Sequence, residues 1–456
     1  MEKQRYYVGE GDVSISPQRK IWAERNVSEE AKKWLAKDEK YFIHQSTSTP
    51  CLNVMARCEG SYIQDITGKR YLDFHGNELH TVGFGNRKVI DAIKAQMDEL
   101  PFCTRRYTNI PAIKLAEKLA EIARDDLNKC LFCPGGTGAV ETALKLARGV
   151  TKRFKTISMW DSFHGSTFGS ISVGGEEIVR GDGGPFLPGT EHVPPPDCYH
   201  CPFGYSGRDK CHLECAKMVR YVLEKERDIA AVISETTRSI PYIPPEEYWK
   251  EIREACDDNG ALLILDEVTS FPGRSGKMFA FQNYDIVPDI VVIAKALGGG
   301  ILPFAGIIAR DKFDVMGKRA IGLYTHEKNP VCCAAALATI EFVEENKLAE
   351  NARIQGDYAL SKFDEMKGRH RLIGDVRGKG LLFGVELVKD RETRERAREE
   401  AEAVMYKAMG KGLSFKVAMG NVLVFTPALT ISRKEMDDAI NIIDECLSEV
   451  ERGTVY

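Results

Sequence analysis

The sequence has no long uninterrupted apolar run, no extended basic run and no apolar segment near its first residues. Its longest apolar stretch, residues 286–309, is interrupted by Pro288, Asp289, Lys295 and Pro303, which excludes a membrane-spanning helix. The net charge is −4, so nothing indicates binding to nucleic acid or to a membrane surface. Because the charged N-terminal residues lack the apolar core of a signal peptide, we expect a cytoplasmic protein.

Internal repeats and low-complexity tracts are also missing, while 456 residues exceed the usual size of a single hydrophobic core. Residues 87–334 alternate between strand-like and helix-like segments, which predicts a large α/β domain with a mostly parallel sheet flanked by helices. We assign residues 1–86 to an N-terminal arm and part of a smaller α+β domain. Residues 335–456 are expected to supply the rest of that smaller domain.

Lys295 stands between the apolar run Val291–Ala294 and the glycine turn Gly298–Gly300. Burial at the end of a core strand penalises the charged form of a lysine and lowers its pKa, which favours a nucleophilic amine able to form a Schiff base. The alternative for this segment alone is a core lysine whose amine reaches the surface.

A second apolar run, Ala261–Leu265, ends in Asp266. If both strands belong to one parallel sheet, Asp266 and Lys295 lie along the same edge, where open α/β sheets bind ligands. An aspartate that holds a pyridinium nitrogen and a lysine that holds an aldehyde are the groups that pyridoxal 5'-phosphate (PLP) requires. The pair therefore predicts a PLP site.

Two further segments fit such a site. The glycine turn Gly135–Gly138, here called the phosphate loop, runs directly into a helix predicted over residues 139–150, and a helix N-terminus binds phosphate well. Turns of this kind also occur in α/β proteins that bind no phosphate. Phe163 and His164 follow the strand predicted at residues 155–159, where Phe163 either stacks on a planar ring or packs in the core.

The order of these motifs resembles the class III aminotransferase family over residues 49–448. The segments that carry the resemblance are the phosphate loop, Phe163–Gly165, Glu235, Asp266–Val268, Gly273–Lys277, Lys295–Gly300, Thr325, Asn329–Pro330 and Val376–Gly378. The resemblance implies PLP fold type I, with Lys295 as the Schiff-base lysine and Asp266 as the partner of the pyridine nitrogen.

The same resemblance implies further contacts. The cofactor-binding residues that it adds are Gly136, Thr137, Phe163, His164, Glu235 and Thr325. Thr325 is expected to reach the phosphate of a neighbouring subunit, which implies a homodimer or a larger homo-oligomer. Arg377 falls where many relatives hold a substrate carboxylate.

Several residues depart from the family pattern around the substrate. Arg238 follows Glu235 where relatives have a different run, and Arg105 and Arg106 lie in the segment that approaches the substrate mouth. Three arginines indicate a substrate anion richer than one carboxylate, because guanidinium groups suit phosphate or phosphonate oxygens. The alternative is that some of them belong to the surface or to a subunit interface.

Within the family, six stretches are most similar to ammonia-lyases acting on (R)-1-hydroxy-2-aminoethylphosphonate. They are residues 44–53, 102–109, 158–166, 189–196, 324–330 and 412–421. This resemblance implies a small phosphonate-bearing amine as substrate and an elimination that gives phosphonoacetaldehyde and ammonia. One alternative is an ω-aminotransferase that uses pyruvate or 2-oxoglutarate, with Glu235 and Arg377 switching for the second substrate. Another is a phospholyase acting on an O-phosphorylated amine.

The 13 cysteines are mostly scattered through apolar segments, which fits a reduced interior better than a disulfide framework. Cys198, Cys201, Cys211 and Cys215 are an exception, because they cluster in a loop rich in proline and glycine. Their spacing permits a tetrahedral four-thiolate zinc site. The alternative is that this loop simply folds against the large domain.

Overall fold

The structure, a computed structural model, describes residues 16–46 and 48–453. The α-helices in these ranges are α1 (Pro17–Asn26), α2 (Glu29–Tyr41), α3 (Arg87–Glu99), α4 (Ile110–Ile122), α5 (Gly136–Thr151), α6 (Phe168–Val173), α7 (Glu177–Arg180), α8 (Glu214–Glu226), α9 (Glu246–Asn259), α10 (Pro330–Glu345), α11 (Leu348–Lys367), α12 (Arg398–Gly410) and α13 (Arg433–Glu451). The strands are β1 (Met55–Glu59), β2 (Tyr62–Asp65), β3 (Arg70–Asp73), β4 (Leu127–Cys133), β5 (Lys155–Met159), β6 (Thr190–Val193), β7 (Ile229–Glu235), β8 (Leu262–Asp266), β9 (Ile290–Ile293), β10 (Ala305–Arg310), β11 (Ile373–Lys379), β12 (Leu382–Leu387), β13 (Leu413–Ser414), β14 (Lys416–Ala418) and β15 (Val422–Phe425).

The larger compact unit comprises residues 86–238 and 242–352. Its sheet has the strand order β4-β10-β9-β8-β7-β5-β6, and only β10 runs antiparallel to its neighbours. This confirms the predicted α/β architecture with a mostly parallel sheet. The unit extends through Ala352, so the boundary expected at residue 334 lies inside α10.

Helices cover both faces of this sheet. One apolar core joins the sheet to α4, α8 and α9, and a second joins it to α5. Strands β7, β8 and β9 are therefore buried along their whole length, which explains why they are nearly continuous apolar runs and show no alternation. Helix α5 packs closely because Ala139, Ala143 and Ala147 place small side chains on its buried face.

The smaller unit contains the described residues up to Gly85, residues 239–241 and the chain from Arg353 onward. Both ends of the chain thus contribute to one α+β unit, as expected. Its sheets have the orders β1-β2-β3-β13 and β11-β12-β15-β14. Strands β2 and β3 pair antiparallel and form a hairpin around Thr67–Lys69. Among the described residues, no helix combines the length and the apolar character that crossing a membrane requires.

Candidate active site

Three adjacent parallel strands bring the predicted groups to one edge of the large sheet. In the register of β7, β8 and β9, Glu235 pairs with Asp266, and Asp266 pairs with Val292. Lys295 follows shortly after Val292, beyond the end of β9. Because β7, β8 and β9 are parallel, Glu235, Asp266 and Lys295 all lie at their carboxyl ends, the usual ligand-binding edge.

Lys295 has an unusual backbone conformation. Its φ is +47°, in the left-handed region that non-glycine residues seldom adopt, and it begins a 3₁₀ turn that ends at Gly298. The residue is half-buried, between the buried Ala294 and Ala296. Strained backbone of this kind is common where a protein aims one side chain at a functional site.

Asp266 and His164 form a buried pair. Nδ1 of His164 lies 2.8 Å from Oδ2 of Asp266, and the two side chains are 0% and 4% exposed. The other carboxylate oxygen, Oδ1, accepts a hydrogen bond from the backbone N–H of Val268 at 3.0 Å. An ionised carboxylate only accepts hydrogen bonds, so His164 donates through Nδ1 and fixes the direction of the carboxylate.

The phosphate loop lies directly beside residues close to Asp266 and Lys295 in the sequence. A methyl group added to Gly136 would lie 3.4 Å from Cβ of Ala294 and 3.6 Å from a methyl carbon of Val268. Helix α5 starts at Gly136 after Gly135, and no side chain caps it. The backbone N–H groups of its first turn therefore point from a helix N-terminus into the same region.

Gly165 closes the other side of the phosphate loop. Its φ is +122°, and an added Cβ would lie 2.4 Å from Oγ1 of Thr137. Oγ1 of Thr137 also accepts the backbone N–H of Ser166 at 3.2 Å. The turn that carries Phe163 and His164 can thus press against the loop only because residue 165 has no side chain.

A buried acid–arginine cluster, consisting of Glu176, Arg238 and Glu235, lies next to these residues. Arg238 donates through Nη1 to Glu235 at 2.6 Å and through Nη2 to Glu176, and each of the three side chains is 5% exposed. The backbone N–H of Phe163 donates to Oε2 of Glu235 at 3.4 Å. Sequence reasoning did not identify Glu176, because no spacing in the sequence links it to Arg238.

The remaining arginines have different surroundings. Arg105 and Arg106 are exposed, on a segment that packs against residues 326–328 through an edge-to-face contact of Phe102 with His326 and a hydrogen bond from Asn109 to the carbonyl of residue 328. Burial raises the pKa of Glu327, and the nearby positive charges of Lys328 and Arg105 oppose that shift.

A cavity of about 400 Å³ lies beside these segments. The residues that line it include Pro134 of the turn before the phosphate loop, Phe304 and His326. Thr325 is exposed on the same loop as His326.

Arg377 lies on β11 of the smaller unit. Its guanidinium contacts Asp375 at 2.9 Å and the buried Glu386 at 2.7 Å, and its Nε donates to the carbonyl of Pro241. The side chain is 10% exposed. Arg377 was expected to hold a substrate carboxylate. Its guanidinium already pairs with two carboxylates of its own unit.

The four cysteines of the proline-rich loop line one cavity of about 20 Å³, the size of a single water. The backbone N–H of Leu213 donates to Sγ of Cys211 at 3.3 Å. In the part of the chain that the structure describes, however, no group of three or more His, Cys, Asp or Glu side chains is arranged to hold a metal ion. The zinc predicted at Cys198, Cys201, Cys211 and Cys215 is therefore not supported, since sequence spacing alone does not place four sulfurs at bonding distance.

Known proteins are similar to this chain in both sequence and fold. The chain is 43% identical over 468 residues to the (R)-1-hydroxy-2-aminoethylphosphonate ammonia-lyase of Vibrio splendidus (strain 12B01), covering 100% of this chain and 98% of that relative. It is 39% identical to the leucine/methionine racemase of Thermococcus litoralis, covering 88% of this chain and 92% of that one.

Solved structures give the same result. A Bacillus anthracis aminotransferase matches with a TM-score of 0.85 and 34% identity over 92% of this chain and 98% of that one. A PLP-bound amine transaminase from an uncultivated Pseudomonas species matches with a TM-score of 0.83 and 30% identity over 90% of this chain and 98% of that one. The model of the class III aminotransferases matches residues 43–447. The chain thus belongs to the class III aminotransferase family of PLP-dependent enzymes and has PLP fold type I.

Proposed function

We propose that this enzyme is an ammonia-lyase that converts (R)-1-hydroxy-2-aminoethylphosphonate to phosphonoacetaldehyde and ammonia. The observation that carries the proposal is the 43% identity, over the whole chain, to a relative named for that activity. The sheet edge described above supports it, because a lysine, a buried carboxylate and a helix N-terminus meet there.

The residues at this edge fit PLP. Gly136 and Gly165 leave the phosphate loop open to a phosphate group, for which the N-terminus of α5 supplies backbone donors. Asp266, whose carboxylate is buried, would hold the ring nitrogen, Phe163 would offer an aromatic face, and Lys295 would supply the amine that holds the aldehyde. When bound, PLP takes up the substrate amine and draws electrons from the neighbouring carbon–hydrogen bond.

The chain's own groups then manage protons and charge. Lys295 accepts at Nζ the proton of the carbon that bears the nitrogen. The carboxylate of Asp266, oriented by His164, would serve as the partner of the ring nitrogen. The hydroxyl group of the adjacent carbon would leave with the proton held by Lys295 as one water, and the released enamine would take up one water to give the aldehyde and ammonia. The balance requires no second substrate and no oxidant.

The pairing of two residues favours elimination over transfer to a keto acid. The ω-aminotransferase alternative needs Glu235 and Arg377 to exchange partners between two substrates. Glu235 is instead bound to Arg238, and Arg377 is bound to Asp375 and Glu386. Glu235 and Arg377 are thus each held by a separate buried partner, which disfavours the exchange that amino transfer needs.

Amino transfer remains the second candidate, because solved neighbours include transaminases such as the (S)-enantioselective ω-transaminase of Thermomicrobium roseum, at 31% identity and a TM-score of 0.86. The phospholyase alternative predicts release of inorganic phosphate from an O-phosphorylated amine. Both alternatives use the same PLP site and differ in what leaves the substrate.

We also propose that the enzyme acts as a homodimer or a larger homo-oligomer in the cytoplasm. The apolar side chains Met97, Tyr107, Ile110 and Ile113 are exposed on and around α3 and α4. Exposed apolar groups gathered in one region are typical of subunit interfaces. Exposed Thr325 is proposed to reach the phosphate in the partner's site, and sedimentation that shows only monomers at micromolar concentration would contradict this.

The decisive assay supplies the hydroxylated aminophosphonate, and separately 2-aminoethylphosphonate, without any keto acid. We expect ammonia and phosphonoacetaldehyde in equal amounts from the hydroxylated compound alone. Turnover that begins only when pyruvate or 2-oxoglutarate is added would replace the lyase by the aminotransferase. Phosphate release from an O-phosphorylated amine would favour the phospholyase.

A further inference from the structure

The acid–arginine cluster joins two segments of the larger unit. Glu176 follows α6, Arg238 follows β7, and Glu235 is the last residue of β7. All three side chains are 5% exposed, so the guanidinium of Arg238 is shielded from solvent between two carboxylates. A guanidinium held in this way offers little to a substrate anion.

The cluster is connected to the residues proposed to contact the PLP ring. Glu235 accepts the backbone N–H of Phe163 at 3.4 Å, and the next residue, His164, is paired with Asp266 at 2.8 Å. Glu235 also stands opposite Asp266 in the register of β7 and β8. Two neighbouring carboxylates thus fix two consecutive residues of the turn that faces the ring.

Charge counting shows why Arg238 is needed there. Glu176 and Glu235 carry two negative charges and Arg238 carries one positive charge. Without the guanidinium, two buried carboxylates would face each other, which is strongly unfavourable, and one of them would protonate or move away. The N–H of Phe163 would then lose a fixed acceptor.

We propose that Glu176 and Arg238 are positioning residues that fix the carboxylate of Glu235 and, through it, the backbone of Phe163 against the PLP ring. This inference rests on the proposed PLP site and not on the identity of the reaction. The sequence predicted that Arg238 binds the substrate anion. The proposal instead assigns Arg238 to the positioning of Glu235.

The test compares Glu176→Gln, Arg238→Gln and the double variant with Glu177→Gln, the exposed neighbour, as the matched control. The first readouts are the dissociation constant of PLP and the visible absorbance of the holoenzyme, neither of which depends on the substrate. Arg238→Gln should weaken PLP binding most, by about tenfold, because it leaves two unpaired buried carboxylates. Glu176→Gln should have a smaller effect, and the double variant should bind PLP better than Arg238→Gln alone.

A second readout separates positioning from substrate binding. If Arg238 positions Glu235, its removal should lower kcat and leave the ratio of KM for an aminophosphonate to KM for a neutral amine unchanged. A selective rise of KM for the phosphonate would overturn the proposal, as would PLP affinity and absorbance equal to those of Glu177→Gln. Should Arg238→Gln fail to fold, Glu176→Gln, which leaves Arg238 paired with Glu235, is compared with Glu177→Gln by the same PLP readouts, with a smaller expected loss of affinity. Failure of the lyase assay would leave these PLP readouts intact.

Discussion

Nδ1 of His164 lies 2.8 Å from Oδ2 of Asp266, and both side chains are buried. The histidine comes from the turn after β5 and the aspartate from the end of β8, so the hydrogen bond joins two strand ends of the same sheet. A carboxylate whose direction is fixed in this way needs no rearrangement to receive a cationic group.

Replacing Asp266 by Asn should therefore test the charge at nearly constant shape. The amide oxygen can still accept from His164, while the negative charge beside the ring nitrogen is lost. We expect kcat to fall on the order of 10²-fold or more, as when other preorganised electrostatic groups are removed. Asp285→Asn, which changes an exposed carboxylate paired with Arg124, is the control. Equal activity of the two variants in steady-state assays would contradict the role of Asp266.

Lys295→Ala should abolish the visible absorbance of the lysine-linked cofactor and reduce turnover by about 10³-fold or more, the usual cost of losing a group essential to the chemistry. The absorbance is measured after the purified protein has been saturated with PLP. Lys312→Ala, at an exposed site outside the sheet edge, should keep the spectrum. An unchanged spectrum in Lys295→Ala would show that another amine holds the aldehyde.

Gly165→Ala and Gly204→Ala separate backbone strain from a local clash. Both glycines have positive φ, at +122° and +79°, so each substitution should cost stability by about 1 kcal/mol. Only at residue 165 would the new Cβ meet a neighbour, Oγ1 of Thr137 at 2.4 Å, whereas nothing lies within 4 Å at residue 204. We therefore expect weaker PLP binding in Gly165→Ala alone. Calorimetric melting and PLP titration of both variants check this, and equal PLP affinities would be the contrary result.

The sequence predicted the sheet edge well because its strands are buried on both faces. Apolar runs such as Ile229–Ile233 and Ala261–Leu265 are nearly unambiguous, and the first acidic residue after each run marks the edge. Strand direction is not encoded in such runs, so the antiparallel β10 could not be predicted. Strand β11 was missed because charged residues occupy alternate positions, and its arginine is buried through contacts with Asp375, Glu386 and the carbonyl of Pro241 that the sequence does not show.

The partners of buried charges were the least predictable part of the site. Arg238 looked available for an anion, because the sequence does not show that Glu176, far away along the chain, closes on it. The zinc site predicted at the four clustered cysteines is not supported for the same reason. Their spacing suited zinc, but the bond distances of a metal site depend on how the loop folds.

Glu267, the residue after Asp266, should make the free energy of unfolding depend on pH. Burial raises its pKa to about 7, although the N–H groups of Ala280 and Phe281 and the hydroxyl of Thr236 oppose the shift. The unfolded chain releases this proton near pH 4.5 and the folded protein releases it near 7, so stability should fall as pH rises through this window. The loss is on the order of 3 kcal/mol. In Glu267→Gln this contribution to the pH dependence of the free energy of unfolding should vanish. Melting curves recorded from pH 4.5 to 8 check this, and an unchanged pH dependence would contradict it.

Arg105 and Arg106 remain the exposed candidates for the substrate anion, since Arg238 and Arg377 are held by carboxylates. Arg105→Gln and Arg106→Gln should be tested one at a time. Loss of one charge-assisted contact, worth about 1.5–3 kcal/mol, should raise KM for an aminophosphonate roughly 10- to 100-fold.

A neutral amine of similar length lacks the anion, so its KM should stay the same in both variants. Arg124→Gln, which removes an exposed guanidinium paired with Asp285, controls for a general change in surface charge. A rise in KM for both substrates would make the two arginines structural, and no rise for either would move the anion site elsewhere. Because surface electrostatics weaken with added salt, the phosphonate effect should persist at high ionic strength only if the guanidinium touches the substrate directly.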